Sequence, residues 1–371
     1  MKNFKCIGPN CTDTCCAGWD INIDENTFKR YENHKGYLGE LTKGKLEKSS
    51  NSDDFFNYGF MKITKDNKCP FLNENLLCEI HGKCGEENLS ITCKRYPRVF
   101  NIIDDIYEKS GLPSCEEICI KAFLNKEKME FIEVEEELFE TSLEIKRVID
   151  TEAPLDYDNF FIYFWDIRII SINIMQNRNL SIEERLSLLR SFYTKLENLK
   201  KEQDFFKIEE FLSNLSEDKT YMKKFIKEEN IIKVPIEEDF LKLLLEEDTF
   251  KKAIAFKLKN LLKAFKEKEK ELKDLKRDEL LFIKNDLKKY SYIFENYLVN
   301  QIFKDLIPFD KGENFKESIK KLINTYNLIK ASLILSYYLL KKDFSKENII
   351  YIIQALSKDL EHNIEFKKIL E

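Results

Sequence analysis

Beyond Gly111 the chain contains a single glycine, Gly312, and beyond Cys119 it contains no cysteine. It also lacks a basic excess. Its 371 residues carry a net charge of −6, so the charge balance of a general nucleic-acid binder is absent and no nucleic-acid partner is expected. No run approaches the ~18 uninterrupted apolar residues of a membrane-spanning helix, so no membrane partner is expected either. The opening MKNFKCIGPNCTDTCC has no apolar core of a signal peptide, which predicts a cytoplasmic chain with reduced thiols. The glycine-rich GxGxG loop of common methyltransferases is missing, and Cys11-x3-Cys15-Cys16 only approaches the CxxxCxxC of common radical enzymes.

What is present is unevenly placed. All ten cysteines, nine of ten glycines and four of seven prolines fall at or before Cys119. Turn-formers and thiols so concentrated predict a cysteine-rich metal-binding module of loops and short helices over residues 1–122. From 123 to 371 Leu, Ile, Phe, Glu and Lys dominate, which predicts a region of long helices and a mainly α fold. Ser181 and Glu184 fit a capping box, with Leu186, Leu189, Tyr193 and Leu196 on one face behind it. One long helix is expected over 258–287, buried helices over 296–306 and 331–340, and a last helix capped by Ser345 and running through Leu360. Short strands are expected over 59–63 and 99–107.

The cysteine spacing is Cys6-x4-Cys11-x3-Cys15-Cys16, then Cys69-x8-Cys78-x5-Cys84-x8-Cys93, then Cys115-x3-Cys119. Soft thiolates suit iron–sulfur clusters and zinc, and a cluster takes about four of them from several loops. Gly8-Pro9, Pro70 and Pro97 bend or stiffen the chain beside these positions. Neighbouring side chains such as Cys15 and Cys16 are expected to point apart, so that they suit different irons or separate centres, or leave one of them beside the cluster as a non-ligand. Two other accounts stay open at this level: structural zinc, and inert buried thiols.

These residues resemble a known family. Cys6-Ile7-Gly8-x-x-Cys11-x-Asp13-x-Cys15-Cys16-x-Gly18-Trp19-x-Ile21-x-Ile23-Asp24 is similar to the opening of the flagellin lysine-N-methylases. So are Cys69-Pro70-Phe71-Leu72, Leu77-Cys78-x-Ile80-His81, Leu89-Ser90-x-Thr92-Cys93, Tyr96-Pro97-Arg98, Glu108-x-Ser110, Ser114-Cys115 and, later, Glu295-Asn296-Tyr297-Leu298. Part of the pattern is shared with a broader group of zinc- or iron-chelating cysteine-cluster proteins. The resemblance implies a [4Fe-4S] cluster, S-adenosyl-L-methionine as methyl donor, and flagellin lysines as substrate. It places Cys6, Cys11, Cys15, Cys16, Cys69, Cys78, Cys93 and Cys115 in matching motifs, and leaves out Cys84 and Cys119.

A lysine amine is protonated near neutral pH, so methyl transfer needs a desolvated pocket or a base. Asp13, Asp20, Tyr96 and Glu108 are the candidates by their nearness to the cysteine motifs. Arg95 and Arg98 are candidates to pair a donor carboxylate. Trp19 either packs over the cysteine loop or stacks on the donor's adenine. His81 is a further possible ligand or a structural residue. A non-catalytic zinc- or iron-binding carrier or interaction module is the competing reading, and affinity for the donor separates the two.

Overall fold

The computed structural model describes residues 4–50, 53–137, 143–152, 160–217, 219–228, 237–311 and 314–370. Among them the protein is mainly α, with two small sheets. In the first third the elements are short: β1 (Asn22–Ile23), α1 (Glu25–Asn33), α2 (Tyr37–Thr42), β2 (Leu46–Lys48), β3 (Gly59–Met61), α3 (Glu79–Cys84), α4 (Ile91–Arg95), β4 (Arg98–Ile103), β5 (Ile106–Gly111) and α5 (Glu116–Ile118). β3 lies between β1 and β2, antiparallel to both. Where short strands are expected near residue 100, β4 and β5 form an antiparallel hairpin. Its two-residue turn, Asp104-Asp105, takes positive φ at both positions, as a hairpin that follows the strand twist requires.

β6 (Ile145–Ile149), which local pattern does not announce, adds to β4 in parallel. Then come α6 (Phe164–Met175), α7 (Ile182–Glu202), α8 (Phe205–Glu217), α9 (Lys219–Glu228), α10 (Glu237–Leu243), α11 (Glu247–Lys252), α12 (Phe256–Glu267), α13 (Glu269–Lys273), α14 (Arg277–Leu287), α15 (Ser291–Asp305), α16 (Phe315–Leu340), α17 (Lys346–His362) and α18 (Ile364–Lys367). The capping box of α7 is formed as the sequence suggests: Glu184 N–H donates to Ser181 Oγ at 3.3 Å and Ser181 N–H to Glu184 Oε2 at 2.6 Å. Ser345 likewise caps α17. The single helix expected over 258–287 is instead three. A straight helix of that length would run about 45 Å. Breaking it at Lys268 and near Asp274 lets Leu258, Leu262, Phe265, Leu272, Ile283 and Leu287 all be buried.

Two apolar clusters result. The larger gathers the helices and takes in Ile103, Cys119 and Phe123. The smaller is built from Ile21, Ile23, Phe28, Tyr31, Met61, Cys69, Phe71 and Ile80, with Cys16, Trp19, Cys78, Cys84 and Cys93 packed against it. α15 joins the larger cluster to the hairpin. Asn101 Nδ2 donates to the Lys304 carbonyl at 3.1 Å, and Asn300 Nδ2 to the Gly111 carbonyl at 3.2 Å. Buried Glu295 receives both Arg178 and Arg185, so the Glu-Asn-Tyr-Leu segment serves to hold helices together. No helix among the described residues is long and apolar enough to cross a membrane.

Candidate metal centre and adjoining cavity

The opening loop is shaped by its own backbone. Gly8 adopts φ +52 and turns the chain so that its N–H meets Cys6 Sγ at 3.4 Å. Cys11 Sγ lies 3.7 Å from Glu116 Oε2. The same carboxylate oxygen accepts from the N–H and the hydroxyl of Thr12, each at 2.7 Å, which brings Cys11 beside the Cys115 segment. Cys69 N–H donates to the Cys16 carbonyl at 2.7 Å, joining the opening loop to the second cysteine group. Cys78 and Cys115 stand at the starts of α3 and α5, and Cys93 N–H donates to Ser90 Oγ, the cap of α4.

All ten cysteines are free thiols. Their electrostatics divide them. Burial, then the neighbouring Cys16, pushes Cys93 up to about 12, and the same two causes raise Cys69. Burial likewise raises Cys78, with Cys16 and Cys84 adding to it. Cys115 is pushed to about 12 by burial, with Cys11 and Cys6 adding to it. Cys15 and Cys16 do not point apart as expected: the loop turns their sulfurs to 3.9 Å, and the hydrogen bond they share raises Cys15 and lowers Cys16. Cys69 and Cys93 thus lie within electrostatic reach of Cys16 and Cys78, Cys115 lies within reach of Cys11 and Cys6, and Cys15 within reach of both Cys93 and Cys6. Among the described residues no three His, Cys, Asp or Glu side chains converge tightly enough to grip one ion. In donor chemistry, thiols within electrostatic reach of one another suit a thiolate-held cluster, and about four is the number one cluster takes. Cys119 is fully buried and donates to the Pro113 carbonyl at 2.9 Å, which is a packing role.

The other residues singled out in the sequence are not all together. Trp19, Asp20, Arg95, Tyr96 and Arg98 line one cavity of about 400 Å³. It adjoins a second of about 540 Å³ and shares Arg95, Arg98, Glu144, Glu361 and His362 with it. Asp13 and Glu108 line neither. Asp13 is held by Lys358 Nζ at 2.7 Å and Gln354 Nε2 at 3.1 Å. Glu108 takes both guanidinium nitrogens of Arg168, at 2.6 and 2.8 Å. Arg95 is paired with Glu144, whereas Arg98 donates to the Lys94 carbonyl and stacks over Phe4. His81 is exposed on α3.

Sequence reasoning missed Ser114, Glu361, His362 and Lys358. His362 stacks on Trp19 with centroids 4.2 Å apart, and its Nε2 is 3.2 Å from Ser114 Oγ. Tyr96 hydroxyl donates to the same Ser114 oxygen at 3.3 Å. Trp19 Nε1 donates to the Cys15 carbonyl at 2.7 Å, so the cavity wall is bonded to the cysteine loop. Burial, then Lys358 and Lys367, pushes His362 down to about 3. Burial also drives the Tyr96 hydroxyl well above its ordinary range.

The arrangement is that of a mainly helical protein whose last helices close over a thiol-rich region and enclose a polar, aromatic-walled cavity beside it. Residues 168–371, more than half of the chain, match the model of the FliB lysine N-methylase C-terminal domain, and the chain belongs to that family. A flagellar biosynthetic protein FliU from Salmonella muenchen is 30% identical over 122 residues, which are 32% of this chain and 70% of that protein. Two proteins named lysine-N-methylase, from Salmonella choleraesuis SC-B67 and Salmonella typhimurium LT2, are also 30% identical over 122 residues. That stretch is only 29% of each. No solved structure matches the chain.

Proposed function

We propose that this chain is a cytoplasmic methyltransferase that moves methyl groups from S-adenosyl-L-methionine to lysine side chains of flagellin, beside a [4Fe-4S] cluster. The observation that carries this reading is the cavity: Trp19, Arg95, Tyr96 and Arg98 line it, and the Cys15 carbonyl is bonded to its wall. Family membership and the names of the relatives supply the reaction class.

In this reading Cys6, Cys11, Cys15, Cys16, Cys69, Cys78, Cys93 and Cys115 are the pool from which the cluster draws its ligands, and the cluster supplies a fixed charge and a rigid anchor for the loops. The sulfonium donor supplies an electrophilic methyl. Arg98, which among the described residues has no carboxylate partner, pairs the donor's carboxylate. Arg95 keeps Glu144 in place at the cavity edge. Trp19 has one ring face on His362, so it fixes the cysteine loop and offers at most its other face to the adenine.

Two measurements test this. Protein purified without oxygen should be brown and contain iron with acid-labile sulfide; colourless protein with stoichiometric zinc removes the cluster from the proposal. Co-expression with flagellin should add 14 Da increments, one per methyl group (about 14 Da each), to lysine peptides. Intact cluster and bound donor with no increment would return the chain to the carrier or interaction-module reading.

A further inference from the structure

A lysine ammonium cannot attack a sulfonium carbon until it has given up its proton. The acceptor must border the cavity and have a lone pair that nothing else engages. Asp13 and Glu108 are committed to Lys358 and Arg168, Glu144 to Arg95, Asp305 to Lys304 and Lys146, and Asp20 is exposed; Asp310 has a buried Oδ1 without a hydrogen-bond partner among the described residues but lines only the second cavity. Glu361, at the end of α17, differs. Its Oε2 accepts the Ser114 N–H at 3.1 Å, while its Oε1 is buried with no hydrogen-bond partner among the described residues. Lys304 Nζ pairs with Oε1 by charge alone, at 3.9 Å, too far for a hydrogen bond, and is itself hydrogen-bonded to Asp305 at 2.7 Å. Glu361 lines both cavities.

We propose that the side chain of the target lysine enters where the two cavities meet, and that Glu361 Oε1 receives its ammonium and takes its proton. This rests on the reading above, that the chain methylates lysine. The N–H proton passes to Glu361. The freed lone pair forms the N–C bond, and the S–C bond breaks with its electrons returning to sulfur, leaving a neutral thioether and a methylammonium. Trp19, Tyr96 and His362 wall the outer cavity and suit the methylene chain.

The surroundings favour this direction of proton flow. Lys304 and Asp305 face Glu361 from α15, Ser114 from the segment before α5, and His362 and Lys367 from its own end of the chain. Arg95 and Lys321 add positive charge to the lining. A cationic, dehydrated site disfavours an ammonium. Lys367 in the same lining is pushed down by burial, then by Lys321. Glu361 is raised by burial, with Lys304 and Ser114 opposing, which brings its acidity nearer to that of the amine it serves.

Glu361→Gln keeps the size and the Ser114 bond but removes the basic oxygen. Assayed as holoprotein at pH 7.5, the variant should transfer methyl groups on the order of 10²–10⁴ times more slowly. Its rate should climb with pH as free amine appears, and Glu361→Asp should fall between the two. Metal content, donor binding and thermal unfolding should match wild type. By calorimetry, n-butylamine should bind wild-type holoprotein at least tenfold more tightly than the Gln variant. A Gln variant with wild-type rate and equal n-butylamine binding overturns the proposal. So does a rate loss that merely follows lost metal or lost donor binding. A wild type that transfers no methyl yet binds n-butylamine through Glu361 overturns the methylase reading and leaves the amine site standing.

Discussion

Lys358 in α17 places its Nζ 2.7 Å from Asp13 Oδ1, across 345 residues of chain, with both side chains almost completely buried. A second bond from the same amine reaches the Thr14 carbonyl at 2.9 Å. The last long helix is thus bonded to the loop that carries Cys11, Cys15 and Cys16. Around it, Lys257 Nζ donates to Thr12 Oγ1 and Gln354 Oε1, both at 2.9 Å, and Gly18, at φ +84, lies against Ala255. Breaking a buried ion pair from one side strands the other charge. Lys358→Met should therefore lower stability by about 3–5 kcal/mol in urea unfolding. It should also lower metal content, because folding of the cysteine loop and metal binding are coupled.

The cysteines should separate by variant. Cys84→Ser and Cys119→Ser should retain most of the metal. At Cys119 the serine hydroxyl inherits the bond to the Pro113 carbonyl. Serine at Cys11, Cys15, Cys69, Cys78 or Cys93 should strip iron strongly. Iron and sulfide per chain, measured for each variant, decide the matter; a Cys119→Ser protein as empty as Cys93→Ser would refute the division.

His362 should make stability fall in mild acid. Its folded value of about 3 lies below the ordinary 6.5, so between these the unfolded chain binds a proton that the folded chain refuses. The contribution is complete above pH 6.5 and is lost as pH falls towards 3, about 2 kcal/mol of it by pH 5. His362→Gln removes this titration while other acid-sensitive groups stay. Urea unfolding at pH 7 and pH 5 should show a smaller drop for the variant.

Glu108 should prove to be a structural residue. Its partner Arg168 is buried and lies over the Phe303 ring at 4.1 Å. Glu108→Gln should cost about 3–5 kcal/mol of stability. Methyl transfer per folded molecule should be unchanged, which a rate assay normalised to the folded fraction will show.

The amino-acid sequence by itself determined the mainly α class, the concentration of thiols before residue 120, a short strand near residue 100 and the caps of α7 and α17. These rest on neighbours within a few residues, where composition, capping and turn chemistry act directly. It also selected Trp19, Arg95, Tyr96 and Arg98, each beside a cysteine motif, which the fold brings to one cavity. Tertiary structure alone decided which of the carboxylates are held by hydrogen bonds from a cation. Asp13, Glu108 and Glu361 look alike in sequence; only packing brings Lys358 to the first and Arg168 to the second, and leaves Oε1 of the third without a hydrogen-bond donor among the described residues. The parallel pairing of β6 and the division of 258–287 into three helices have the same origin, because burial against a distant surface, rather than local periodicity, selects them.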